Sequence, residues 1–359
     1  ANIHRAVHKL ADEATQAYEQ ARDAVKDFIN AEFREEIIFT SGTTASVNLA
    51  AFCFGEAYIK EGDEVIVTEA EHHSNIVPWQ MMCRRKGAIL KVLPIDDSGH
   101  LIIDELDSLI TDRTRIMAVT HISNVLGIVN PVKDIVEKCH SKGVAVLVDG
   151  VQGAVHCKVD VRDMDCDFYV FSGHKLYAAT GTGVLYGKKK WLENMPPYMG
   201  GGEMVGTVKF SGTTYAPLPM KYEAGTQNFA SAATLKPAIE LLNILNDNNL
   251  EEYNNSIKDY LLNILINDER IRLYGVPRGT SEEKIPLFSF TVKGIHHEDL
   301  ALILDKMGIA VRSGQMCAEP LMDRFGVTGM LRISLAPYNT MQEAEYFVKC
   351  LNKAIDMLI

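Results

Sequence analysis

Two polar side chains stand where buried strands are predicted to end. Lys175 follows the apolar segment 168–172, and Asp149 closes the apolar segment 144–149. In an open α/β sheet, the carboxyl ends of the strands face the ligand crevice. A lysine there can form an imine with an aldehyde, while a carboxylate keeps a pyridine nitrogen protonated so that the ring withdraws electrons. The combination predicts pyridoxal 5'-phosphate (PLP) as cofactor; the alternative is a surface lysine and a turn aspartate.

A turn of small and hydroxyl-bearing residues follows the first predicted strand. The turn 41–44 has the sequence Ser-Gly-Thr-Thr and separates the segment 36–40 from a helix-period stretch. Unpaired backbone N–H groups and the helix dipole favour a phosphate at such a junction, and an ordinary helix cap is the alternative. Side chains that extend this predicted anion cup are Thr43, Thr44, Ser172 and His174.

Histidines and an amide follow two further predicted strands. His72 and His73 come after the segment 64–68, and Asn124 comes after the segment 115–120. A histidine there can stack on an aromatic ring or move protons near neutral pH. A metal site would need a third ligand at matching spacing, which the sequence lacks. Asn124 is a candidate partner for the cofactor ring or a substrate carboxylate, with a turn asparagine as the alternative.

Arg332 interrupts an apolar strand pattern between Leu331 and Ile333. Burying its guanidinium without an anionic partner would be costly. A substrate carboxylate held through two parallel hydrogen bonds would be such a partner. The alternative is an edge-strand arginine that reaches solvent.

Cys317 is the cysteine best placed for chemistry. The seven cysteines are dispersed without a Cys-x-x-Cys pair, so neither a disulfide framework nor a zinc cluster is indicated. Most of them are expected to be reduced core residues. Cys317 instead lies in the polar, turn-rich segment 312–320, after the strand-like segment 308–311. We expect an accessible thiol on a short segment of low mobility.

Composition narrows the functional class. With 359 residues and 47% hydrophobic residues, the chain is long enough for two domains with a core in each. The net charge of -11 disfavours nonspecific binding to nucleic acid or to an anionic membrane. No apolar run approaches the roughly 18 residues of a membrane-spanning helix, and the N-terminus lacks the apolar segment of a signal peptide. We expect a cytoplasmic protein that acts on small molecules or protein partners.

Strand and helix patterns alternate after an amphipathic helix predicted over 6–29. Such alternation implies crossover connections and a mostly parallel sheet covered on both faces. The predicted strands are 36–40, 64–68, 89–95, 115–120, 144–149, 168–172 and 184–187. The predicted helices between them include 43–57, 76–86, 102–110 and 132–142.

The pattern changes after residue 195. Glycine and proline predict a long loop near the site over 195–219, of a length that is usually functional or disordered. A helical pattern then leads into a smaller α+β part, with strands expected at 285–291 and 332–336 and helices at 298–306 and 341–357. We therefore predict an α/β chain with a large domain over 1–241 and a small C-terminal α+β domain over 242–359.

Taken together, these motifs resemble the class V aminotransferase group of fold-type I PLP enzymes, and within it the group II (SufS-like) cysteine desulfurases. The resemblance extends from about His4 to the C-terminus. It is carried in order by the segments 40–44, 71–80, 148–152, 171–177, 222–226 and 317–322.

The resemblance implies conversion of L-cysteine to L-alanine, with a persulfide left on Cys317. By this analogy, Lys175 binds PLP covalently and later moves protons, and His72 stacks on the ring. Asp149 would pair with the pyridine nitrogen and Gln152 with the phenolic oxygen. The phosphate ligands implied are Thr43, Thr44, Ser172, His174 and, from the other subunit of a homodimer with shared active sites, Thr226. The implied substrate ligands are Asn124, Arg332, Arg312 and His4.

The chain also departs from the family pattern. Gln315 and Met316 precede Cys317, where family members usually carry histidine. Relatives generally have several tens of residues before the match to Ala1, so we expect a truncated chain or one that naturally lacks that segment. The resemblance further implies a sulfur-acceptor protein of iron–sulfur cluster assembly as a partner. The alternatives are a selenocysteine lyase, which uses the same residues without an essential cysteine, and a catalytically silent scaffold.

Overall fold

The computed structural model describes residues 3, 8–247, 250–279 and 283–359. Its larger sheet contains seven strands: β1 (Ile37–Thr40), β2 (Glu64–Thr68), β3 (Ile89–Leu93), β4 (Thr114–Thr120), β5 (Ala145–Asp149), β6 (Phe168–Ser172) and β7 (Gly183–Gly187). Their order is β1-β7-β6-β5-β4-β2-β3. The pairs from β3 to β6 are parallel, whereas β7 runs antiparallel to both of its neighbours.

Helices cover both faces of this sheet because its strands are apolar on both sides. Val146 and Val148 of β5 belong to one buried cluster, while Ala145 and Leu147 belong to another. The first helices along the chain are α1 (Lys9–Phe28), α2 (Thr43–Tyr58), α3 (Val77–Lys86), α4 (Leu106–Leu109), α5 (Val132–Ser141), α6 (Gly153–His156), α7 (Val161–Met164) and α8 (Lys189–Asn194).

A hairpin and a second sheet follow. The hairpin pairs β8 (Val205–Lys209) with β9 (Gly212–Tyr215). The second sheet is antiparallel, with the order β10-β11-β13-β12. Its strands are β10 (Ile271–Tyr274), β11 (Leu287–Val292), β12 (Arg312–Gly314) and β13 (Met330–Ser334). The remaining helices are α9 (Phe229–Ala233), α10 (Leu235–Asp247), α11 (Leu250–Asn267), α12 (His297–Lys306), α13 (Glu319–Phe325) and α14 (Met341–Leu358).

The predicted α/β architecture is confirmed, with local differences. The predicted loop over 195–219 contains the hairpin of β8 and β9. The strand-like segment 308–311 precedes the actual strand β12, and β10 was not predicted. The division of the chain into domains 1–241 and 242–359 stays a prediction; its boundary falls within α10. Among the described helices, none is both long and apolar enough to cross a membrane.

A buried ion pair anchors α1 to the large sheet. Arg22 and Glu223 have fully buried side chains whose Nη1 and Oε1 atoms lie 2.8 Å apart. Arg22 Nη2 also donates to Glu223 Oε2 at 2.9 Å, and Tyr18 donates its hydroxyl proton to the same oxygen at 2.8 Å. The backbone N–H of Phe39 in β1 donates to Glu223 Oε1 at 2.8 Å. The network connects α1, β1 and the segment that precedes Thr226.

Glu223→Gln should lower the free energy of unfolding by about 3–5 kcal/mol, because it removes the fully buried counter-charge of Arg22 and leaves only the partly exposed Glu19, 3.3 Å from its Nε. Thermal and urea unfolding of the purified protein measure the loss. Glu193→Gln is the matched control, since the Glu193 side chain is 54% exposed and lies 3.9 Å from Lys189; its effect should stay within about 0.5 kcal/mol. Equal stability of the two variants would contradict the anchoring role.

Candidate active site

The strand ends place the predicted lysine and aspartate at one edge of the large sheet. Asp149 ends β5, which pairs in parallel with both β4 and β6. Lys175 lies in the 3-10 turn Gly173–Leu176 that immediately follows β6. A cleft of about 160 Å³ is lined by Lys175 and Gln152 from this edge and by Arg332 from the second sheet. Three of the predicted site residues therefore share one cleft.

The buried carboxyl group of Asp149 is suited to pair with a protonated ring nitrogen. Its side chain is buried, and burial raises its pKa to about 6. Asp149 Oδ1 accepts a hydrogen bond from the backbone N–H of Val151 at 3.1 Å, and no ion pair to Asp149 occurs within the described residues. A protonated pyridine nitrogen would supply the missing positive charge. The residues present therefore fit PLP.

Glu71 is a second buried carboxyl group at this edge of the large sheet. Glu71 Oε1 accepts hydrogen bonds from Thr68 Oγ1 at 2.6 Å and from the backbone N–H of Thr120 at 2.7 Å, and Oε2 accepts one from Asn75 Nδ2 at 2.7 Å. Burial and, to a smaller extent, the nearby charge of Asp149 raise the Glu71 pKa to about 8. Glu71 ties the end of β4 to the turn that carries His72. Its only signal in the sequence was a carboxyl group shortly after a strand.

His72 is neutral at neutral pH. Burial, followed by the positive charges of His73, Arg312 and Lys175, lowers its pKa to about 4. Its ring Nδ1 accepts a hydrogen bond from the backbone N–H of Ser74 at 3.1 Å. A neutral, half-buried imidazole is suited to packing against an aromatic ring.

The predicted anion cup brings hydroxyl groups together at the start of α2. Ser172 Oγ accepts a hydrogen bond from the backbone N–H of Thr43 at 2.9 Å and lies 2.7 Å from Thr43 Oγ1. Thr44 Oγ1 lies 2.8 Å from Ser74 Oγ. A Cβ atom at Gly183 would stand 2.4 Å from the Cα atom of Gly42, so this close approach of β7 to the turn requires glycine. His174 lies beside the cup, and the partial desolvation of its ring together with the charge of Lys175 lowers its pKa.

Cys317 approaches the same site from the second sheet. Arg312 Nη2 lies 3.7 Å from Cys317 Sγ, and the thiol is exposed. Asn124 Nδ2 donates to the carbonyl oxygen of Met316 at 2.9 Å, and Arg332 Nη1 donates to the carbonyl oxygen of Asn124 at 2.7 Å. The segment that bears the thiol is thus bonded to the segment after β4.

Positive charge dominates the cleft. Burial, followed by the charges of Arg332 and Arg312, lowers the pKa of Lys175. Burial and Arg312 lower the pKa of Arg332 to about 10. The Nε atom of Arg332 is buried without a hydrogen-bond partner. β13 lies inside its sheet, which excludes the alternative of an edge-strand arginine.

One predicted residue lies apart from this cluster, and another is not among the residues that the structure describes. Thr226 is exposed and lines a separate small cavity with Tyr18 and Glu223. His4 lies outside the described residues. Residues that line the cleft but were not predicted are His156, Tyr177 and Ser334. A larger groove of about 630 Å³, lined in part by Tyr58 and Met195, contains none of the predicted site residues.

The paired histidines do not form part of a metal cluster in the described part of the chain. No group of three or more His, Cys, Asp or Glu side chains there could hold an ion. His72 and His73 instead serve different neighbours: His72 bonds within its own turn, whereas His73 Nε2 accepts a hydrogen bond from the backbone N–H of Glu319 at 2.9 Å.

Comparisons with known proteins agree with this geometry. The profile of the family described as Aminotransferase class-V matches residues 1–347. The cysteine desulfurase of Cronobacter sakazakii is 46% identical over 349 residues, which cover 97% of this chain and 85% of that protein. The probable cysteine desulfurase of Vibrio cholerae is 43% identical over 358 residues, 100% of this chain and 87% of that protein.

Solved structures show the same relationship. The crystal structure of the cysteine desulfurase CsdA from Escherichia coli has a TM-score of 0.92 and 41% identity, covering 100% of this chain and 88% of that one. The apo cysteine desulfurase of Thermococcus onnurineus NA1 has a TM-score of 0.93 and 34% identity, with 100% and 88% coverage.

The fold and the cleft define a PLP-dependent enzyme of fold-type I. The chain belongs to the class-V aminotransferase family and, within it, to the cysteine desulfurases.

Lys175 should capture PLP at a lower pH than an ordinary lysine, because its lowered pKa yields the neutral, nucleophilic amine earlier as pH rises. Borohydride trapping across pH, followed by peptide mass spectrometry, locates and quantifies the adduct. Arg312→Gln should move the midpoint of trapping to higher pH, since it removes a positive neighbour.

Lys175→Ala should abolish the trapped adduct, and Lys142→Ala, at an exposed lysine on another surface, should leave it intact. A midpoint that is the same with and without Arg312 would contradict the electrostatic coupling.

Proposed function

We propose that this chain removes sulfur from L-cysteine, releases L-alanine and retains the sulfur as a persulfide on Cys317. One observation carries the proposal: Arg312 lies 3.7 Å from the Cys317 sulfur and also lowers the pKa of Lys175. The thiol and the amine therefore belong to one site. An inert core position for Cys317 is incompatible with its exposure.

The cofactor would be held by residues from three strand ends. Lys175 would bind PLP covalently, Asp149 would face the ring nitrogen, and Gln152 the phenolic oxygen, with His72 stacked on the ring. When bound, PLP withdraws electrons from the substrate carbon and makes the Cβ–S bond cleavable. The phosphate would be bound by the hydroxyl and imidazole groups of Thr43, Thr44, Ser172 and His174.

The substrate carboxylate would bind between Arg332 and Asn124. The unpartnered Nε–H of Arg332 is a donor that a carboxylate would satisfy. The second N–H of the Asn124 amide is also free to donate, since its first is directed at Met316. We assign Arg312 and His4 to the same substrate ligand set.

The proposed transfer of sulfur from L-cysteine to Cys317 needs no external oxidant. The Cys317 thiolate forms a bond to the substrate sulfur while the Cβ–S bond breaks, and the three-carbon fragment takes up protons to become alanine. Lys175, as the amine in the cleft, would deliver a proton to this fragment. The guanidinium of Arg312 places positive charge beside the reacting sulfur.

Cys317→Ser should lower the rate of alanine formation from L-cysteine by at least about 10³-fold, because it removes the sulfur acceptor while leaving the PLP site intact. Cys157→Ser, at a half-buried cysteine outside the proposed mechanism, is the control. The measurements are alanine release and the visible absorption of bound PLP.

The Cys317→Ser variant also distinguishes a cysteine desulfurase from a selenocysteine lyase. Retained turnover of L-selenocysteine together with lost turnover of L-cysteine is the result expected of a desulfurase. Unchanged alanine formation from L-cysteine would refute the role of Cys317, and a wild-type protein that binds no PLP would indicate a silent scaffold.

A protein acceptor would take the persulfide sulfur for iron–sulfur cluster assembly. Without acceptor or reductant, the wild-type protein should release about one alanine per site and then stop, because the thiol is consumed once. A thiol-bearing acceptor should restore repeated turnover in the same assay. The seven cysteines are all free thiols, which is consistent with a reducing compartment, and we assign the protein to the cytoplasm.

The active form would be a homodimer with shared active sites. Thr226 is exposed and separate from the cleft of its own chain, which supports a role at the phosphate of the other subunit. The network around Glu223 would fix the position of this loop.

Mixed dimers of Lys175→Ala and Thr226→Ala chains should contain one site with full PLP affinity. In that site Lys175 comes from one chain and Thr226 from the other. Titration with PLP should show tight binding at half the stoichiometry of wild type, whereas Thr226→Ala homodimers should bind PLP weakly at both sites. Weak binding in the mixed dimer as well would place Thr226 in its own chain's site.

A further inference from the structure

His73 makes two contacts with the segment that carries the reactive thiol. Its backbone N–H donates to the carbonyl oxygen of Cys317 at 2.8 Å. Its ring Nε2 accepts a hydrogen bond from the backbone N–H of Glu319 at 2.9 Å. These contacts lie on either side of Ala318, although His73 is 246 positions away from Glu319 in the chain.

The segment needs such external support because its backbone conformation is unfavourable. Met316 and Cys317 have φ angles of +56° and +57°, so two successive residues with side chains occupy the left-handed region. Residues other than glycine rarely adopt this region, and they persist in it only where surrounding contacts hold them. Met316 is anchored by burial and by the hydrogen bond from Asn124.

Two hydrogen bonds form within the segment 315–319 itself. Gln315 Nε2 donates to Glu319 Oε1 at 3.2 Å, and both side chains are exposed. The backbone N–H of Ala318 donates to the carbonyl oxygen of Gln315 at 3.0 Å. Neither of these contacts joins the segment that bears Cys317 to the turn that carries His72 or to the segment after β4. His73 and Asn124 provide those two connections.

We propose that His73 is a positioning residue that holds the segment 315–319 so that the Cys317 thiol stays beside Arg312. The preceding residue, His72, is the one assigned to the cofactor ring. Since the two imidazoles are consecutive, with centroids 6.3 Å apart and planes inclined at 51°, one turn sets both the cofactor side and the thiol side of the site.

The catalytic consequence rests on the proposed desulfurase function, but the structural consequence does not. His73→Ala removes the ring acceptor and keeps the backbone donor. Exchange of the Glu319 amide hydrogen should then accelerate at least about tenfold, because that N–H loses its partner. Hydrogen exchange of peptides that cover 315–322, measured by mass spectrometry on the PLP-loaded protein, reports this without any turnover.

Persulfide formation in a single turnover should fall by about 10–100-fold in His73→Ala, since a small displacement of the attacking atom is enough for a loss of this size. KM for L-cysteine should change by less than about threefold, because among the described residues His73 makes no hydrogen bond to Asn124, Arg332 or Arg312. His73→Gln places an amide oxygen near the position of Nε2 and should restore both exchange protection and the single-turnover rate to within about threefold of wild type.

His296→Ala is the matched control. The His296 ring accepts a hydrogen bond from the backbone N–H of Glu298 at 3.4 Å, and the residue is an exposed cap of α12. This variant should leave the exchange of 315–322 and the single-turnover rate unchanged.

Unchanged exchange in His73→Ala would overturn the proposal, and so would failure of His73→Gln to restore exchange protection. Faster exchange in His73→Ala, restored by His73→Gln, would support the positioning role even if wild type formed no persulfide, and that absence would then count against the desulfurase function alone.

Discussion

Three cationic side chains lie at the site, Lys175 and Arg332 in the cleft and Arg312 near them, without an acidic partner among the described residues. Burial, Arg332 and Arg312 lower the pKa of Lys175, burial and Arg312 lower that of Arg332, and none of the three side chains forms an ion pair in the described structure. Such a site is unfavourable until anions enter it, and any anion that binds the folded state stabilises it by mass action. A phosphate, a substrate carboxylate and a thiolate are the anions that a PLP-dependent desulfurase brings together.

Two buried carboxyl groups lie at the same edge of the large sheet. Asp149 ends β5 and Glu71 follows β2, with β4 between these two strands; both side chains are buried, and burial raises the pKa of both. Glu71 satisfies its oxygens with three donors from the surrounding backbone and side chains, whereas Asp149 retains acceptor capacity. Of the two buried acids, Asp149 is therefore the one with acceptor capacity left for a bound group.

Hydrogen bonds across long sequence distances connect the two sheets at the site. Arg332 donates to Asn124, and Asn124 donates to Met316, so β13, the segment after β4 and the thiol segment form one chain of contacts. Because Met316 and Cys317 are held at positive φ, the position of the thiol depends on this chain. A change in any of these segments would therefore alter the position of the Cys317 sulfur.

Much of the architecture followed from local patterns. The segments 64–68 and 168–172 coincide with β2 and β6, since a buried strand in a parallel sheet is apolar on both faces and therefore continuous in sequence. The placement of Lys175 and Asp149 at one edge of the sheet was predictable for the same reason, because Asp149 ends one such run and Lys175 lies in the turn after another. Short or polar elements were harder: β12 has three residues, of which Arg312 is polar and Gly314 carries no side chain.

Tertiary structure alone decided which distant residues meet. The contact between His73 and Glu319, the internal position of β13 that turns Arg332 toward Asn124, and the location of Thr226 away from its own cleft all depend on pairings between segments far apart in the chain. Periodicity and residue type report the environment of each segment, so the sequence determined the elements and the kinds of chemistry they carry. The distances between reactive atoms arise only when packing brings those elements together.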